Sequence, residues 1–458
     1  MPIDILLLKN KLSLIGEEHL LHYWDLLSEN SQDKLARQIH NLDVPTILSQ
    51  KQLIKSPLAK VPPLTFEPFS QCETSGNLRN KKLGEKLLAE GKVGCLVVAG
   101  GQGTRLNMAG PKGMYPISVI KHKSLFQLLV EKAKASGKQT GKIPPLAIMT
   151  SPLNHEQTLA FFKQHDNFGL SPEHIFFYPQ EMLPFLNQQG TLFLEKLDQI
   201  AMGPNGNGMS LTSFVQNGIW QRWSEKGIEF LNYVLIDNPL TDPFDAELIG
   251  FHATSPSEIT IKCIARQQAD EKVGILVNET GKAKVIEYTE FPLEEREARL
   301  PDGHFKHRYA NISLFCFSMN FIRQATTSQT KLPLHANLKT ASSLSRENHR
   351  ISSQKIQAWK FETFIFDLLP YAQHLRALVY PREECFSPLK NETGEASPTS
   401  VRASLQAQDR RILESITHLP SPVIPFELSQ EFHYPTPQLL AAWYQRIPQP
   451  NSNPYLEP

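Results

Sequence analysis

The chain has almost no excess of charge of either sign: 47 basic residues stand against 46 acidic ones, a formal net charge of +1. That balance excludes a general electrostatic pull toward nucleic acid or an anionic membrane, so any recognition of phosphate has to be local. Cysteine is scarce. Cys72, Cys95, Cys263, Cys316 and Cys385 are odd in number and far apart, and without a C-x-x-C pair they offer neither a zinc site nor a dithiol couple. Free thiols in apolar runs are expected, as suits a cytoplasmic protein. No apolar stretch approaches the length of a membrane-spanning helix. Met1–Lys9 lacks the basic leading region and small-residue cleavage site of a secretory signal. Two familiar phosphate loops are also missing. The pattern G-x-x-x-x-G-K-[ST] is absent, and G-x-G-x-x-G fails because Leu106 stands where the third glycine belongs. His155-Glu156 has no second histidine at helical spacing, and the S-x-x-K string Ser387–Lys390 lacks its partner motifs.

What is present is an alternation. At 458 residues the chain can hold two or three domains and one large core. Residues 13–42 carry Leu20, Tyr23, Trp24, Leu27, Leu35 and Ile39 at helical spacing. The Pro-rich stretch Ser56–Pro68 reads as an ordered strap, and Leu78–Leu88 as a helix. From Val93 onward, apolar strand-like runs (Val93–Ala99, Pro145–Thr150, Ile175–Tyr178, Phe230–Ile236, Glu258–Ala265, Lys284–Thr289, Ile312–Phe317) are predicted. Helical patterns separate the first four: Ser124–Ser136, His155–Gln164, Leu192–Ile200 and Leu211–Lys226. This order predicts an α/β fold with a doubly wound, largely parallel central sheet, ligand bound beyond the carboxyl ends of its strands. The expected division is a helical accessory region over 1–90, a catalytic core over 91–380 and a small C-terminal region over 381–458.

The chemistry centres on Ala99-Gly100-Gly101-Gln102-Gly103-Thr104-Arg105-Leu106, directly after the first strand, with Pro111-Lys112-Gly113 downstream. Bare glycines such as Gly100 and Gly101 let main-chain amides approach an anion. Arg105 and Lys112 add positive charge where phosphate oxygens would sit. Asp237 ends the apolar run Tyr233–Ile236; a carboxylate there either caps the next turn or serves as the single ligand of a Mg²⁺ ion shared with substrate phosphates. Gln180, after the third strand, is either a solvated loop residue or a partner for a base edge. Gly203–Met209, containing Gly206 and Asn207, is a second turn cluster. Trp359–Asp367 reads as an amphipathic helix.

The glycine stretch together with Pro111-Lys112-Gly113-Met114-Tyr115 resembles the signature of eukaryotic-type UDP-N-acetylhexosamine pyrophosphorylases. A collinear series of shorter matches extends it from about Val93 to about Leu405. The resemblance implies a UTP:sugar-1-phosphate uridylyltransferase of nucleotide-diphosphosugar transferase fold, acting on UTP and a sugar-1-phosphate with Mg²⁺, and compatible with a monomer. It implies that Arg105, Lys112 and Lys390 (in Ser387-Pro388-Leu389-Lys390-Asn391) act on phosphate, and that Asp237 holds the metal. Gln180 would contact uracil, and Gly206 and Asn207 the nucleoside. Gly274, Glu287, Asn311, Phe364 and Phe366 would meet the sugar. Asp242 is read as structural. The family's Ala-Gly-Asn-Ile-Ala-Asn-His is here Tyr309-Ala310-Asn311-Ile312-Ser313-Leu314-Phe315. The sugar implied is N-acetylglucosamine-1-phosphate, with glucose-1-phosphate, or a silent UDP-sugar binder, as the alternatives.

Overall fold

The computed structural model describes residues 4–55, 66–327, 331–347, 350–446 and 454–458. Most of the strap expected at Ser56–Pro68 lies outside them. The chain forms two units, and the larger comprises Thr65–Gln180, Ser210–Thr330 and Ile365–Pro458. Its sheet is built from β1 (Val93–Val98), β2 (Leu146–Thr150), β3 (Ile175–Pro179), β4 (Phe230–Leu235), β5 (Ile259–Ala265), β6 (Gly274–Glu279), β7 (Lys282–Ile286), β8 (Tyr309–Ser318) and β9 (Leu375–Tyr380). Two short strands near the N-terminal end of the unit, Glu67–Pro68 and Cys72–Thr74, complete it.

From β1 the chain runs outward through β2 and β3, then returns to β4 on the other side of β1, which is the doubly wound order. The main path reads Cys72–Thr74, β9, β5, β8, β4, β1, β2, β3, and five of its seven neighbouring pairs are parallel. The strand β8 lies antiparallel to both β4 and β5. The β6–β7 hairpin joins it at Gly274↔Asn311. Continuous apolar runs make β1, up to the half-buried Val98 at its exit, and all of β2 buried strands covered on both faces. The helix Leu125–Thr140 buries Leu125, Phe126, Leu129 and Val130 in the same core.

The smaller unit comprises Met1–Leu64, Glu181–Met209 and Lys331–Phe364. Helices Ile5–Ser13, Glu29–Asn41 and Val44–Lys55 surround a core of Leu12, Leu20, Leu35, Ile39, Leu186, Leu192 and Phe361. Two expectations fail here. Leu192–Ile200 is not a helix but a tight antiparallel pair, Leu194–Lys196 with Gln199–Ile200. Leu192 and Leu194 face one cluster while Phe193 faces another, a two-residue period that a helix cannot present. Trp359–Asp367 is also not a helix. Its first part is the end of strand Arg350–Glu362, paired residue for residue with His335–Glu347, and a 3-10 turn over Ile365–Tyr371 follows. In the larger unit, Leu211–Lys226 is broken into Ser210–Gln216 and Ile219–Glu225 by Gly218, which adopts φ +71°.

Candidate active site

The strand β1 stops where its apolar residues do, and the glycine stretch leaves its carboxyl end. Ala99 still donates to Met149 O (2.7 Å), holding the exit against β2. The loop then closes on itself through Lys112 N to Gly101 O (3.0 Å) and Gly103 N to Gly110 O (2.9 Å). Asn154 fastens it from below. It is 1 % exposed, accepts from Ser151 N (2.8 Å), and donates to Ala99 O (3.1 Å) and Gly101 O (3.4 Å). Asn154 precedes the helix His155–Gln164 yet makes no cap with its side chain, because that amide serves the glycine loop instead. With the carbonyls of the loop tied down, the N–H groups of Gly100 and Gly101 donate to no chain acceptor among the described residues.

The absence of a side chain at Gly100 makes room for Gln180. A Cβ there would lie 2.1 Å from Gln180 Nε2. Gln180 is held by its own amide to Thr150 O (2.8 Å), is 7 % exposed, and leaves its Oε1 without a partner. A buried amide with an idle acceptor costs stability unless a ligand satisfies it. Glycine loop and glutamine thus meet at the carboxyl ends of β1 and β3.

Lys112 and Asp237 also come together. Lys112 Nζ is 3.6 Å from Asp237 Oδ2 and donates to Leu389 O (3.2 Å). Asp237 keeps Oδ1 buried and without a partner. Leu389 N donates to Asp237 O (2.7 Å), so the Ser387–Lys390 segment lies against the end of β4. Lys390 and Arg105 are both exposed and pair with no carboxylate among the described residues. Below this turn, Lys132 is buried and its Nζ donates to Pro239 O and Thr241 O, both at 2.7 Å. Burial lowers its pKa to about 8, against the opposing pull of Asp242 and Asp409. Asp242 takes bonds from Phe244 N (2.8 Å) and Tyr434 Oη, a structural setting, and burial together with Asp245 raises its pKa.

At the other expected end, Gly274, Glu287 and Asn311 are mutual neighbours. Gly274 and Asn311 are register partners, and a Cβ at Gly274 would meet Val285 Cγ1 at 2.6 Å, Glu287 Oε1 at 3.4 Å and Asn311 Cβ at 3.9 Å. Asn311 Oδ1 accepts from Ser313 N (3.0 Å), fixing a kink at which Ser313 adopts φ +56°. The altered positions Leu314 and Phe315 are 2 % and 1 % exposed and belong to the core, Phe315 against Tyr233. Phe366 is buried in the turn Ile365–Tyr371. In the smaller unit, Gly206 and Gly208 lie against Thr363, where a Cβ on Gly206 would be 2.4 Å from Thr363 O. Thr363 in turn donates to Asn205 O through N (2.8 Å) and Oγ1 (3.1 Å). The Phe364 ring lies tilted against that of His335, with centroids 4.7 Å apart. Asn154 and Asn238 were not singled out from sequence. Their only local signal is an asparagine at a strand exit or helix start.

Comparison with known proteins follows the same lines. The family described as UTP–glucose-1-phosphate uridylyltransferase matches residues 48–434. UDP-N-acetylglucosamine diphosphorylase 2 of Arabidopsis thaliana is 31 % identical over 423 residues, 87 % of this chain and 82 % of the relative. A probable UDP-N-acetylglucosamine pyrophosphorylase of Schizosaccharomyces pombe is 32 % identical over 406 residues, 83 % of this chain and 85 % of the relative. Among solved structures, a UDP-N-acetylglucosamine pyrophosphorylase assigned in Entamoeba histolytica superposes with a TM-score of 0.74 at 28 % identity, covering 84 % of this chain and 98 % of the other.

Proposed function

Since the chain belongs to the UTP–glucose-1-phosphate uridylyltransferase family, we propose that it forms UDP-N-acetylglucosamine and pyrophosphate from UTP and N-acetylglucosamine-1-phosphate. It is a nucleotidyltransferase. The choice of sugar is carried by the relatives at 31 and 32 % identity, both named for N-acetylglucosamine. The catalytic core is assigned to 91–380, with 1–90 and 381–458 flanking it.

In the reaction a phosphate oxygen of the sugar-1-phosphate bonds to the α-phosphorus of UTP, and the bond from that phosphorus to the bridging oxygen of pyrophosphate breaks. The nucleophile is already anionic near neutral pH, so no general base is needed. Charge crowding sets the barrier, and positioned cations lower it. Gly100 and Gly101 offer amides to the triphosphate, Lys112 and Arg105 hold it and stabilise departing pyrophosphate, and Lys390 steers the incoming phosphate. Gln180 Oε1 accepts from the imide N–H of uracil. Gly274, Glu287, Asn311 and Phe366 are assigned to the sugar. The assignments of Gly206, Asn207 and Phe364 to substrate rest on the resemblance alone.

Asp237 fits a magnesium ion. Its Oδ1 is a buried acceptor with no partner, and Mg²⁺ is commonly held by one carboxylate plus substrate phosphates. No group of three metal-ligating side chains exists among the described residues, and none is needed for that mode. When bound, the ion neutralises phosphate charge; Asp237 would hold it. No helix among the described residues is long and apolar enough to cross a membrane. Five free cysteines support a cytoplasmic setting. The test is pyrophosphate release with Mg²⁺, UTP and a panel of N-acetylglucosamine-, N-acetylgalactosamine- and glucose-1-phosphate. Fastest turnover with the first is expected. Preference for glucose-1-phosphate, the sugar in the family description, would replace this reading.

A further inference from the structure

Asn238 sits beside Asp237 with a side chain that reaches no ligand-facing surface: it is 5 % exposed. Both ends of its amide are used, and on the same distant segment. Nδ2 donates to Cys385 O at 2.7 Å, and Oδ1 accepts from Ser387 N at 3.0 Å. Two further bonds continue the same seam, Leu389 N to Asp237 O (2.7 Å) and Lys112 Nζ to Leu389 O (3.2 Å). At its far end the segment turns back through Lys390 N to Ala396 O (2.8 Å). Ser387 Oγ adds a bond to Ser404 Oγ (3.0 Å). The strand side of the seam is itself fastened, since Lys132 holds Pro239 O and Thr241 O. Among the described residues the Lys390 side chain makes no bond that fixes its position, and its backbone is ordered through the seam.

We infer that Asn238 is a positioning residue which registers the Cys385–Lys390 segment against the end of β4 and thereby sets where the Lys390 ammonium meets the sugar phosphate. This rests on the proposed role of Lys390 in contacting phosphate. Only an uncharged amide serves both bonds, because one end has to donate and the other accept. A carboxylate keeps the acceptor and loses the donor; alanine loses both. Misplacing a charged group by an ångström in a reaction driven by positioning costs about 10–100-fold in kcat.

The experiment is a double-mutant cycle in the full chain: Asn238→Ala, Asn238→Asp and Lys390→Ala singly, and each Asn238 variant combined with Lys390→Ala. Measured are kcat, KM for UTP, KM for the sugar-1-phosphate and thermal midpoint. Both single Asn238 variants are expected to lose kcat by about 10–100-fold while KM for UTP changes by less than about threefold. In the Lys390→Ala background, the same changes should cost less than about threefold, because the group being placed is gone. A residue that merely supports the fold, or acts through Asp237, would cost the same with or without Lys390. The isosteric Asn238→Asp covers the case in which alanine does not fold. Full additivity, or wild-type turnover in folded Asn238→Asp, overturns the inference while leaving Lys390 in place. Wild-type turnover in Lys390→Ala overturns the reading of Lys390 and the inference with it.

Discussion

Lys112 Nζ lies 3.6 Å from Asp237 Oδ2, although the two residues enter the site from the ends of different strands, and Lys112 also donates to Leu389 O. The spacing leaves Asp237 Oδ1 idle and buried. An ammonium and a carboxylate this close, each mostly screened from water, form a partly satisfied pair, which on the proposed reading a triphosphate and its counterion would complete. If Asp237 holds the ion as proposed, Asp237→Asn should raise the Mg²⁺ concentration for half-maximal rate by about tenfold or more, because the ion loses an anionic protein ligand. A metal titration of the initial rate checks this; an unchanged half-saturation point removes Asp237 from the metal site.

Gly100→Ala should weaken UTP binding rather than chemistry. The added Cβ would stand 2.1 Å from Gln180 Nε2, so the glutamine has to leave its position. KM for UTP is expected to rise about tenfold with kcat within about threefold, the pattern of lost uniform binding. Steady-state kinetics with UTP varied at saturating sugar-1-phosphate provide the check.

Glu287→Ala should act on the other substrate. Its Oε1 lies at the Gly274–Asn311 junction of β6 and β8. KM for the sugar-1-phosphate is expected to rise about tenfold while KM for UTP stays within about twofold. Equal effects on both substrates would detach this cluster from the sugar.

Acid stability should depend on His252. The ring is 1 % exposed, with Nδ1 at 2.9 Å from Thr260 Oγ1, and burial, aided by Arg376, lowers its pKa from 6.5 to about 3. Between those values the unfolded chain binds a proton that the native chain refuses. The stabilisation is present above pH 6.5 and is lost as pH falls toward 3, by about 1.4 kcal/mol per pH unit. His252→Gln should flatten the acid limb of denaturant-unfolding stability by about that slope between pH 6 and 4. An unchanged limb would mean that His252 takes up its proton in the native state.

The strand exits that carry the candidate site were legible because their signals are local. An apolar run that stops at glycines, or at Asp237, announces a strand exit on its own. Gln180 and Lys112 follow from short strings of the same kind. The hairpin His335–Glu347 with Arg350–Glu362 was not legible, because a short mixed stretch such as Trp359–Asp367 suits an amphipathic helix and a strand equally until a partner strand is known. Where Leu314 and Phe315 point was not legible either: only the register and burial of β8 place both side chains in the core. Asn154 and Asn238 went unremarked for another reason. What they hold lies 55 and 147 residues away in the chain, and no spacing within a motif encodes it.

The most direct measurement is pyrophosphate release from UTP and N-acetylglucosamine-1-phosphate by the wild-type chain and by Lys112→Ala side by side, with unfolding curves for both. The account predicts steady turnover in the first, and in the second a fall of about 100-fold or more with an unchanged unfolding midpoint. Wild-type rates in the folded Lys112→Ala protein would contradict it.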